Sequence, residues 1–364
     1  MSDDFFLNLA LPHVRKLQPY TPGLQPKVQE WVKLNTNENP YPPSPRVQEA
    51  ISRELGAGLR LYPDPRSTAL REAVGKYHGL EADWVCIGNG SDDILNLLIR
   101  AFCGKGQAAA ATFPSYSLYP VLVANANGEM INVEFGRDMR LDVEKLAAVD
   151  ANLLFLTSPN APTGVAFPNE EIEELCRAFP GVVVVDEAYA DFAEENATVL
   201  LKRNRNLCVT RTFSKSYGLA GLRVGYLVGD PGLIEIVDRL RDSYNVNRLS
   251  QVGALAALND REYFQETVAK IKATREKYRQ YFDEKGWFTY PSQTNFLFTE
   301  PRNREGKKGK AVAQALYEFL TERRILVRYF PSHDLTSSFL RISVGSEPEM
   351  LTLAKTIDQW LNSA

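Results

Sequence analysis

Between residues 45 and 250, short apolar runs alternate with segments in which apolar residues recur every three or four positions. The runs are typical of strands buried on both faces, and the longer spacing is typical of amphipathic helices. This alternation predicts an α/β fold, with a mainly parallel sheet flanked by helices. The predicted strands are residues 84–87, 153–156, 182–186, 207–210 and 224–228, and the predicted helices are residues 46–55, 68–77, 91–102 and 169–179.

The C-terminal third has a different pattern. Residues 262–284 predict one long helix, and residues 294–298 and 339–344 predict strands of a smaller α+β domain. The last helix is expected to begin at Ser346, because Ser346 and Glu349 match a capping box. The proline-rich start predicts an extended arm. We therefore expect three parts: an N-terminal arm joining the small domain (1–45), a large cofactor-binding domain (46–255) and a small C-terminal domain (256–364).

Composition narrows the classes of function. The chain has 364 residues, and its 42 Lys and Arg against 45 Asp and Glu give a net charge of −3, so neither nucleic acid nor a membrane surface is an expected partner. No apolar stretch approaches the roughly 18 residues of a membrane helix, and no secretory signal is recognisable. The four cysteines are widely spaced, which predicts reduced thiols and a cytoplasmic location. Three scattered histidines predict no metal site, so the chemistry is expected to rest on other side chains or a cofactor.

A glycine-rich motif joins a predicted strand to a predicted helix. Residues 88–93 read Gly-Asn-Gly-Ser-Asp-Asp. Free N–H groups at a helix N-terminus bind phosphate, and glycine lets a ligand approach the backbone. The motif is not the dinucleotide-binding fingerprint. Phosphate binding and a simple N-cap by Ser91 both remain open on this segment alone.

Two further motifs carry reactive side chains. Asp186 ends an apolar strand, at the edge where open α/β sheets bind ligands, although it could equally cap a turn. Lys215 lies among small residues after another strand, which is an unusual place for a solvated charge. Arg223 follows eight residues later. This set suits pyridoxal phosphate. The helix N-terminus, Ser214 and Arg223 would hold the phosphate, Asp186 would keep the ring nitrogen protonated, and Lys215 would bond to the cofactor and carry the proton.

The sequence resembles the fold-type I pyridoxal-phosphate aminotransferases, and most closely the histidinol-phosphate aminotransferase family. The resemblance covers nearly the whole chain. It implies that family's fold, a pyridoxal-phosphate cofactor, and amino transfer between histidinol phosphate and 2-oxoglutarate. The segments that carry it are residues 14–20, 34–40, 60–65, 88–93, 113–116, 158–164, 186–189, 214–215, 221–223 and 340–345.

The resemblance also implies a role for each matched residue. Lys215, Asp186 and Tyr189 would be catalytic, with Tyr189 donating to the ring hydroxyl. A homodimer with shared active sites is expected, because the partner subunit's Tyr62 would reach the cofactor phosphate. The other cofactor-binding residues would be Ser91, Asp92, Tyr116, Asn160, Ser214 and Arg223, and the residues that bind the small amino-acid and phosphate substrates would be Tyr20, Asn37, Arg328 and Arg341.

Ala161 departs from the family pattern, which has asparagine directly before Pro-Thr-Gly to bond the ring hydroxyl. Either Asn160 or a water molecule takes over this contact, or Tyr189 makes it alone. Two alternatives within the same chemistry stay open, namely an aromatic amino-acid aminotransferase and a threonine-phosphate decarboxylase. A binding module that has the fold without turnover is the alternative from a different class.

Overall fold

A computed structural model describes residues 5–18, 24–25 and 30–363. Its strands are β1 (Val32–Lys33), β2 (Val85–Gly88), β3 (Ala108–Phe113), β4 (Glu129–Glu134), β5 (Leu153–Thr157), β6 (Val182–Asp186), β7 (Leu207–Thr212), β8 (Gly225–Gly229), β9 (Phe288–Thr289), β10 (Phe296–Glu300), β11 (Ile325–Leu326), β12 (Arg328–Tyr329) and β13 (Leu340–Ser343). Its helices are α1 (Phe5–Leu9), α2 (Pro45–Glu54), α3 (Thr68–His78), α4 (Ser91–Phe102), α5 (Tyr119–Asn125), α6 (Val143–Ala147), α7 (Asn169–Ala178), α8 (Pro231–Leu240), α9 (Arg248–Asn259), α10 (Arg261–Glu284), α11 (Lys310–Glu322) and α12 (Glu347–Ser363).

The largest sheet in the described residues is mixed, although most of its pairs are parallel. Its strand order is β2-β8-β7-β6-β5-β3-β4, and β8 runs antiparallel to both of its neighbours. The register aligns Thr157 of β5 with Asp186 of β6, and Asp186 with Thr210 of β7. Three polar side-chain positions therefore meet where these parallel strands end, at the edge that binds ligands in open α/β sheets.

Helices cover both faces of this sheet because its central strands are apolar on both sides. In β5, Leu153 and Phe155 face one buried cluster with α4 and α8, whereas Leu154 and Leu156 face the opposite cluster with α7 and α9. This division follows from the two-residue period of a strand. Strands β5, β6 and β8 accordingly are mainly apolar and β7 begins with an apolar run, which is why these strands could be predicted.

A second sheet lies in the C-terminal part. Its order is β12-β13-β10-β9, with every pair antiparallel. Strand β1 pairs separately with β11, which attaches the N-terminal segment to this region. Within the long helix α10, Arg275 interrupts the apolar stripe, and its guanidinium donates to the carbonyl of Thr294 at 2.8 Å. One half of the predicted capping box is present, since the Glu349 carboxylate accepts from the backbone N–H of Ser346 at 2.7 Å, and it also accepts from the Ser346 hydroxyl at 2.6 Å.

The predicted α/β architecture is confirmed, with differences in detail. Strands β3 and β4 were not predicted, and the strand expected at 294–298 lies at Phe296–Glu300. The basic segment 302–310 is tied to the small sheet, because Lys308 pairs with the buried Glu300 at 2.9 Å. The division into an arm and two domains stays a prediction.

Across residues 5–18, 24–25 and 30–363, no helix is long and apolar enough to cross a membrane. Within the same ranges, no cluster of His, Cys, Asp or Glu side chains could hold a metal ion. Cys86, Cys103, Cys176 and Cys208 have free, buried thiols. Burial raises the pKa of Cys86 to about 12.

A buried ion cluster joins strand β7 and the loop after it to the segment that follows β6. Arg211 donates to Glu187 at 2.7 Å and to Asp191 at 2.9 Å, and all three side chains are largely buried. Ser216 also donates to Asp191. Two buried carboxylates therefore depend on one guanidinium for their neutralisation.

Replacing Arg211 with methionine should strongly destabilise the fold. Glu187 would be left charged and buried without its partner, so we expect the free energy of unfolding to fall by about 3–5 kcal/mol. Urea denaturation at fixed protein concentration measures this change. The matched control is Arg205→Met, because the Arg205–Asp230 pair is formed by a side chain that is 88% exposed. Equal, small losses in both variants would contradict the assignment.

Candidate active site

Two adjoining cavities lie at the carboxyl edge of the large sheet. The inner cavity measures about 180 Å³ and the outer one about 340 Å³. Such concave sites at strand ends are where α/β proteins bind small molecules. The sequence motifs from distant parts of the chain therefore converge at one place. Residues that line both cavities are Thr36, Asp92, Tyr116, Ala161, Tyr189, Lys215 and Arg223.

One end of the inner cavity is suited to an anion. Helix α4 begins there at Ser91, and Gly90 precedes it with φ = +86°. A Cβ on Gly90 would lie 2.7 Å from a guanidinium nitrogen of Arg223, so glycine at this position lets the arginine lie close to the start of the helix. Arg223 contacts Asp92 at 3.1 Å and Ser214 at 3.4 Å. Helix N–H groups, a hydroxyl and a guanidinium together form a phosphate-binding set.

Asp186 lies on the wall of the inner cavity at the end of β6. Its carboxylate accepts from the hydroxyl of Tyr119 at 2.7 Å and from that of Thr210 at 3.1 Å. Burial raises the pKa of Asp186 to about 6, and these two hydrogen bonds oppose the rise by stabilising the charged form. The carboxylate is thus fixed in place and is well matched to a cationic ring nitrogen.

Tyr119 belongs to the site although it was not predicted from the sequence. Its ring stacks on Phe155 at 4.6 Å and meets Tyr116 edge-on at 5.6 Å. Its hydroxyl also lies 2.7 Å from Thr157. The signal was the three-residue spacing from Tyr116, which places both rings on one side of the turn into α5. That spacing alone could not show that Tyr119 reaches Asp186.

Lys215 faces both cavities from the loop that follows β7. Its amine donates to the carbonyl of Thr36 at 3.2 Å and lies 5.9 Å from the centre of the Tyr189 ring. The amide of Asn39 donates to the carbonyls of Lys215 and Ser216 at 3.0 and 2.9 Å. The loop is therefore held by the N-terminal segment, and the amine is left next to the cavity.

The outer cavity carries the cationic groups expected for substrate binding. Arg328 and Arg341 line it from β12 and β13, together with Asn37. Arg341 donates to the carbonyl of Asn35 at 2.9 Å, and its guanidinium lies over the rings of Phe296 and Phe330 at 5.3 and 5.4 Å. A guanidinium oriented in this way can donate hydrogen bonds to a carboxylate or a phosphate.

The structure does not bring every expected residue into the site. The amide of Asn160 donates to the carbonyl of Pro114 at 3.1 Å and its oxygen accepts from Thr163 at 2.8 Å, so its polar atoms are used within the turn. Ala161 lines the cavities instead. Tyr62 is 77% exposed and stacks on Tyr244 at 4.5 Å, away from both cavities. Tyr20 lies outside the described residues.

Comparisons with known proteins agree with this geometry. The family described as aminotransferase class I and II matches residues 29–357. The chain belongs to this aminotransferase family. It is 46% identical to a histidinol-phosphate aminotransferase of Syntrophotalea carbinolica, over 97% of this chain and 99% of the relative. It is 41% identical to the enzyme of the same name from Synechocystis, over 93% and 94%. A crystal structure of histidinol-phosphate aminotransferase from Sinorhizobium meliloti, in complex with pyridoxal-5'-phosphate, superposes with a TM-score of 0.84 at 29% identity, covering 91% of each chain.

The residues of this aminotransferase fit pyridoxal phosphate. Ser91 at the start of helix α4, Ser214 and Arg223 line the inner cavity together, as a phosphate group requires. The buried carboxylate of Asp186 and the amine of Lys215 line the same cavity. These groups match the three parts of the cofactor that a protein must hold, namely its phosphate, its ring nitrogen and its carbonyl carbon.

Asp186 should make the stability of the cofactor-free aminotransferase depend on pH. Its pKa of about 6 in the folded chain lies above the ordinary value of 3.8, so folding favours the protonated form. That stabilisation is complete below the ordinary value and is lost as the pH rises through the folded pKa. Between about pH 5 and about pH 7, we expect the unfolding free energy to fall by about 1 kcal/mol relative to Asp186→Asn. Urea denaturation of both proteins checks this, and parallel pH profiles would contradict it.

Proposed function

We propose that the chain interconverts histidinol phosphate plus 2-oxoglutarate and imidazole acetol phosphate plus glutamate, a step of histidine biosynthesis. The observation that carries this proposal is the presence of Arg328 and Arg341 on the wall of the cavity that also contains Lys215. Histidinol phosphate and imidazole acetol phosphate carry a phosphate, whereas glutamate and 2-oxoglutarate carry carboxylates. Planar guanidinium groups bind both kinds of anion. The names of the similar proteins support the same substrate.

Pyridoxal phosphate, when bound, supplies an electron-withdrawing ring that accepts the electrons released when a substrate carbon loses its proton. Ser91, Asp92, Ser214 and Arg223 would hold its phosphate, through helix N–H groups, a hydroxyl and a guanidinium. Tyr116 would stack on its ring. Anchoring the phosphate in this way fixes the position of the reacting atoms relative to Lys215.

Asp186, Lys215 and Tyr189 would manage the protons. The carboxylate of Asp186, fixed by Tyr119 and Thr210, would hold a proton on the ring nitrogen. The amine of Lys215, once free, would act as the base that takes the proton from the amino-bearing carbon of the substrate, and afterwards as the acid that gives this proton up. The hydroxyl of Tyr189 would donate to the ring hydroxyl, a contact that the methyl group of Ala161 cannot make.

Arg341 would bind the substrate anion, and Arg328 would complete the charge of the pocket. The aromatic rings beside Arg341 restrict its motion and limit access of water to its guanidinium, which strengthens an ionic contact. Asn37 and Tyr20 would form further parts of the pocket. The same arginines can serve both half-reactions, because the two substrates occupy the site in turn.

We also infer that the active unit is a homodimer working in the cytoplasm. Support comes from the exposed apolar side chains around the stacked pair Tyr62 and Tyr244, including Leu59 and Leu61, because a surface patch of this kind marks an interface. The partner subunit's Tyr62 would then reach the cofactor phosphate. The free buried thiols are consistent with a reducing compartment.

The substrate can be tested in a half-reaction. Protein loaded with pyridoxal phosphate is mixed separately with histidinol phosphate, phenylalanine and threonine phosphate, and the visible absorption band is followed. We expect histidinol phosphate to change the band at least about a hundredfold more efficiently than phenylalanine, because a doubly charged phosphate pairs with two guanidinium groups more strongly than a single carboxylate does. Lys215→Arg is the control, since it keeps the charge and should abolish the change.

Each other outcome has a defined meaning. A faster reaction with phenylalanine would replace the substrate by an aromatic amino acid. Release of carbon dioxide from threonine phosphate would identify a decarboxylase. A visible band that none of the three compounds alters would favour a binding module without turnover.

The shared active site can be tested by mixing two weakened variants. Tyr62→Ala and Lys215→Ala are dissociated together and allowed to reassociate. A mixed dimer has one site in which both residues are intact, so random pairing should restore about a quarter of wild-type activity. The separate variants provide the baseline. If the mixture shows only the sum of their activities, Tyr62 does not act across the interface.

A further inference from the structure

Asn37, Ser343 and Tyr189 form a hydrogen-bonded chain on the wall of the site, although they come from distant parts of the sequence. The backbone N–H of Asn37 donates to the hydroxyl oxygen of Ser343 at 2.9 Å. That hydroxyl donates to the side-chain oxygen of Asn37, also at 2.9 Å. The side-chain NH₂ of Asn37 donates to the hydroxyl oxygen of Tyr189 at 2.9 Å. All three side chains are nearly inaccessible to solvent.

The orientation of the Asn37 amide follows from counting protons. A serine hydroxyl has one proton, and its oxygen already accepts from the backbone N–H of Asn37. Among the described residues, the remaining partner for the proton is the side-chain oxygen of Asn37. If the amide were rotated by 180°, the side-chain NH₂ and the backbone N–H of Asn37 would both face the Ser343 oxygen. The serine proton would then have no acceptor. Leaving a buried donor unpaired costs about 1–3 kcal/mol, so the observed orientation is strongly favoured.

The fixed amide determines what the Tyr189 hydroxyl can do. Because its oxygen accepts from Asn37, its proton cannot be given to that residue. The Tyr189 ring lines both cavities, next to the amine of Lys215. The phenol proton is therefore available to a ligand oxygen in the cavity.

The backbone of Asn37 is held as firmly as its side chain. Its φ is +57°, a left-handed conformation that asparagine tolerates better than most residues. The amide of Asn295 donates to its carbonyl at 3.0 Å, and Asn295 is completely buried. Ser343 on β13 and Asn295 beside β10 thus fix the side chain and the backbone of Asn37, the residue that bonds to Tyr189.

We propose that Ser343 is a positioning residue, which locks the Asn37 amide so that Tyr189 donates its proton to the ring oxygen of the bound cofactor. The proposal rests on the proposed function, because it needs pyridoxal phosphate in the cavity. Ser343 itself lies behind Asn37 and touches neither cavity. With Ala161 beside the site, this indirect control replaces a second direct donor.

The test is a pH titration of the visible band in the loaded protein. In Ser343→Ala the Asn37 amide can rotate and accept the phenol proton, so the anionic ring oxygen loses its donor. Loss of a hydrogen bond to a charged oxygen should raise the midpoint of the titration by about one pH unit or more. Tyr189→Phe should raise it at least as far, and adding Ser343→Ala to Tyr189→Phe should produce no further rise.

Thr299→Val is the matched control, because it removes a buried hydroxyl from the neighbouring strand β10 without altering the chain to Tyr189. Its titration should match that of the wild type. An unchanged midpoint in Ser343→Ala, or equal shifts with and without Tyr189, would overturn the role of Ser343 alone. Failure of the wild-type protein to develop any visible band with pyridoxal phosphate would overturn the proposed function and this inference together.

Discussion

The buried guanidinium of Arg211 holds together the two segments that carry Asp186 and Lys215. Glu187 directly follows Asp186, and Ser216 directly follows Lys215, so the cluster of Arg211, Glu187, Asp191 and Ser216 links the backbone on both sides of the site. An ion cluster of this kind contributes less to stability than well-packed apolar residues of the same size could. Its value here is geometric, because the distance between a ring-nitrogen carboxylate and a reactive amine must be fixed within a fraction of an ångström.

A second constraint comes from residues 35–39 of the N-terminal segment. Asn39 holds the carbonyls of Lys215 and Ser216, Thr36 accepts from the lysine amine, and Asn37 orients Tyr189. The same segment continues from β1, which pairs with β11 of the C-terminal part. Residues 35–39 therefore contact both Arg341 of the C-terminal part and the loop that carries Lys215.

Much of the fold was predictable because buried parallel strands have continuous apolar sequences, as in β5 and β6. Strand β3 was missed since four alanines begin it, and alanine is uncommon in strands. Strand β4 was missed because it lies at the edge of the sheet and carries polar residues. The antiparallel direction of β8 could not be predicted, because direction depends on a connection whose path in space leaves no periodic signal.

The site divides in the same way between local and distant information. Lys215, Asp186 and Arg223 lie in motifs whose chemistry can be recognised along the chain, whereas Tyr119 and Ser343 matter only through contacts that join residues 67 and 306 positions apart. Asn160 shows the converse error, since an amide next to the expected position is used by its own turn. The effect of alanine at position 161, where the family has asparagine, must therefore be judged against all the groups that could bond to the ring hydroxyl of the cofactor. Here the hydroxyl of Tyr189 accepts from Asn37, and Asn37 is held by Ser343, so the proposed direction of the phenol proton depends on two residues distant in sequence.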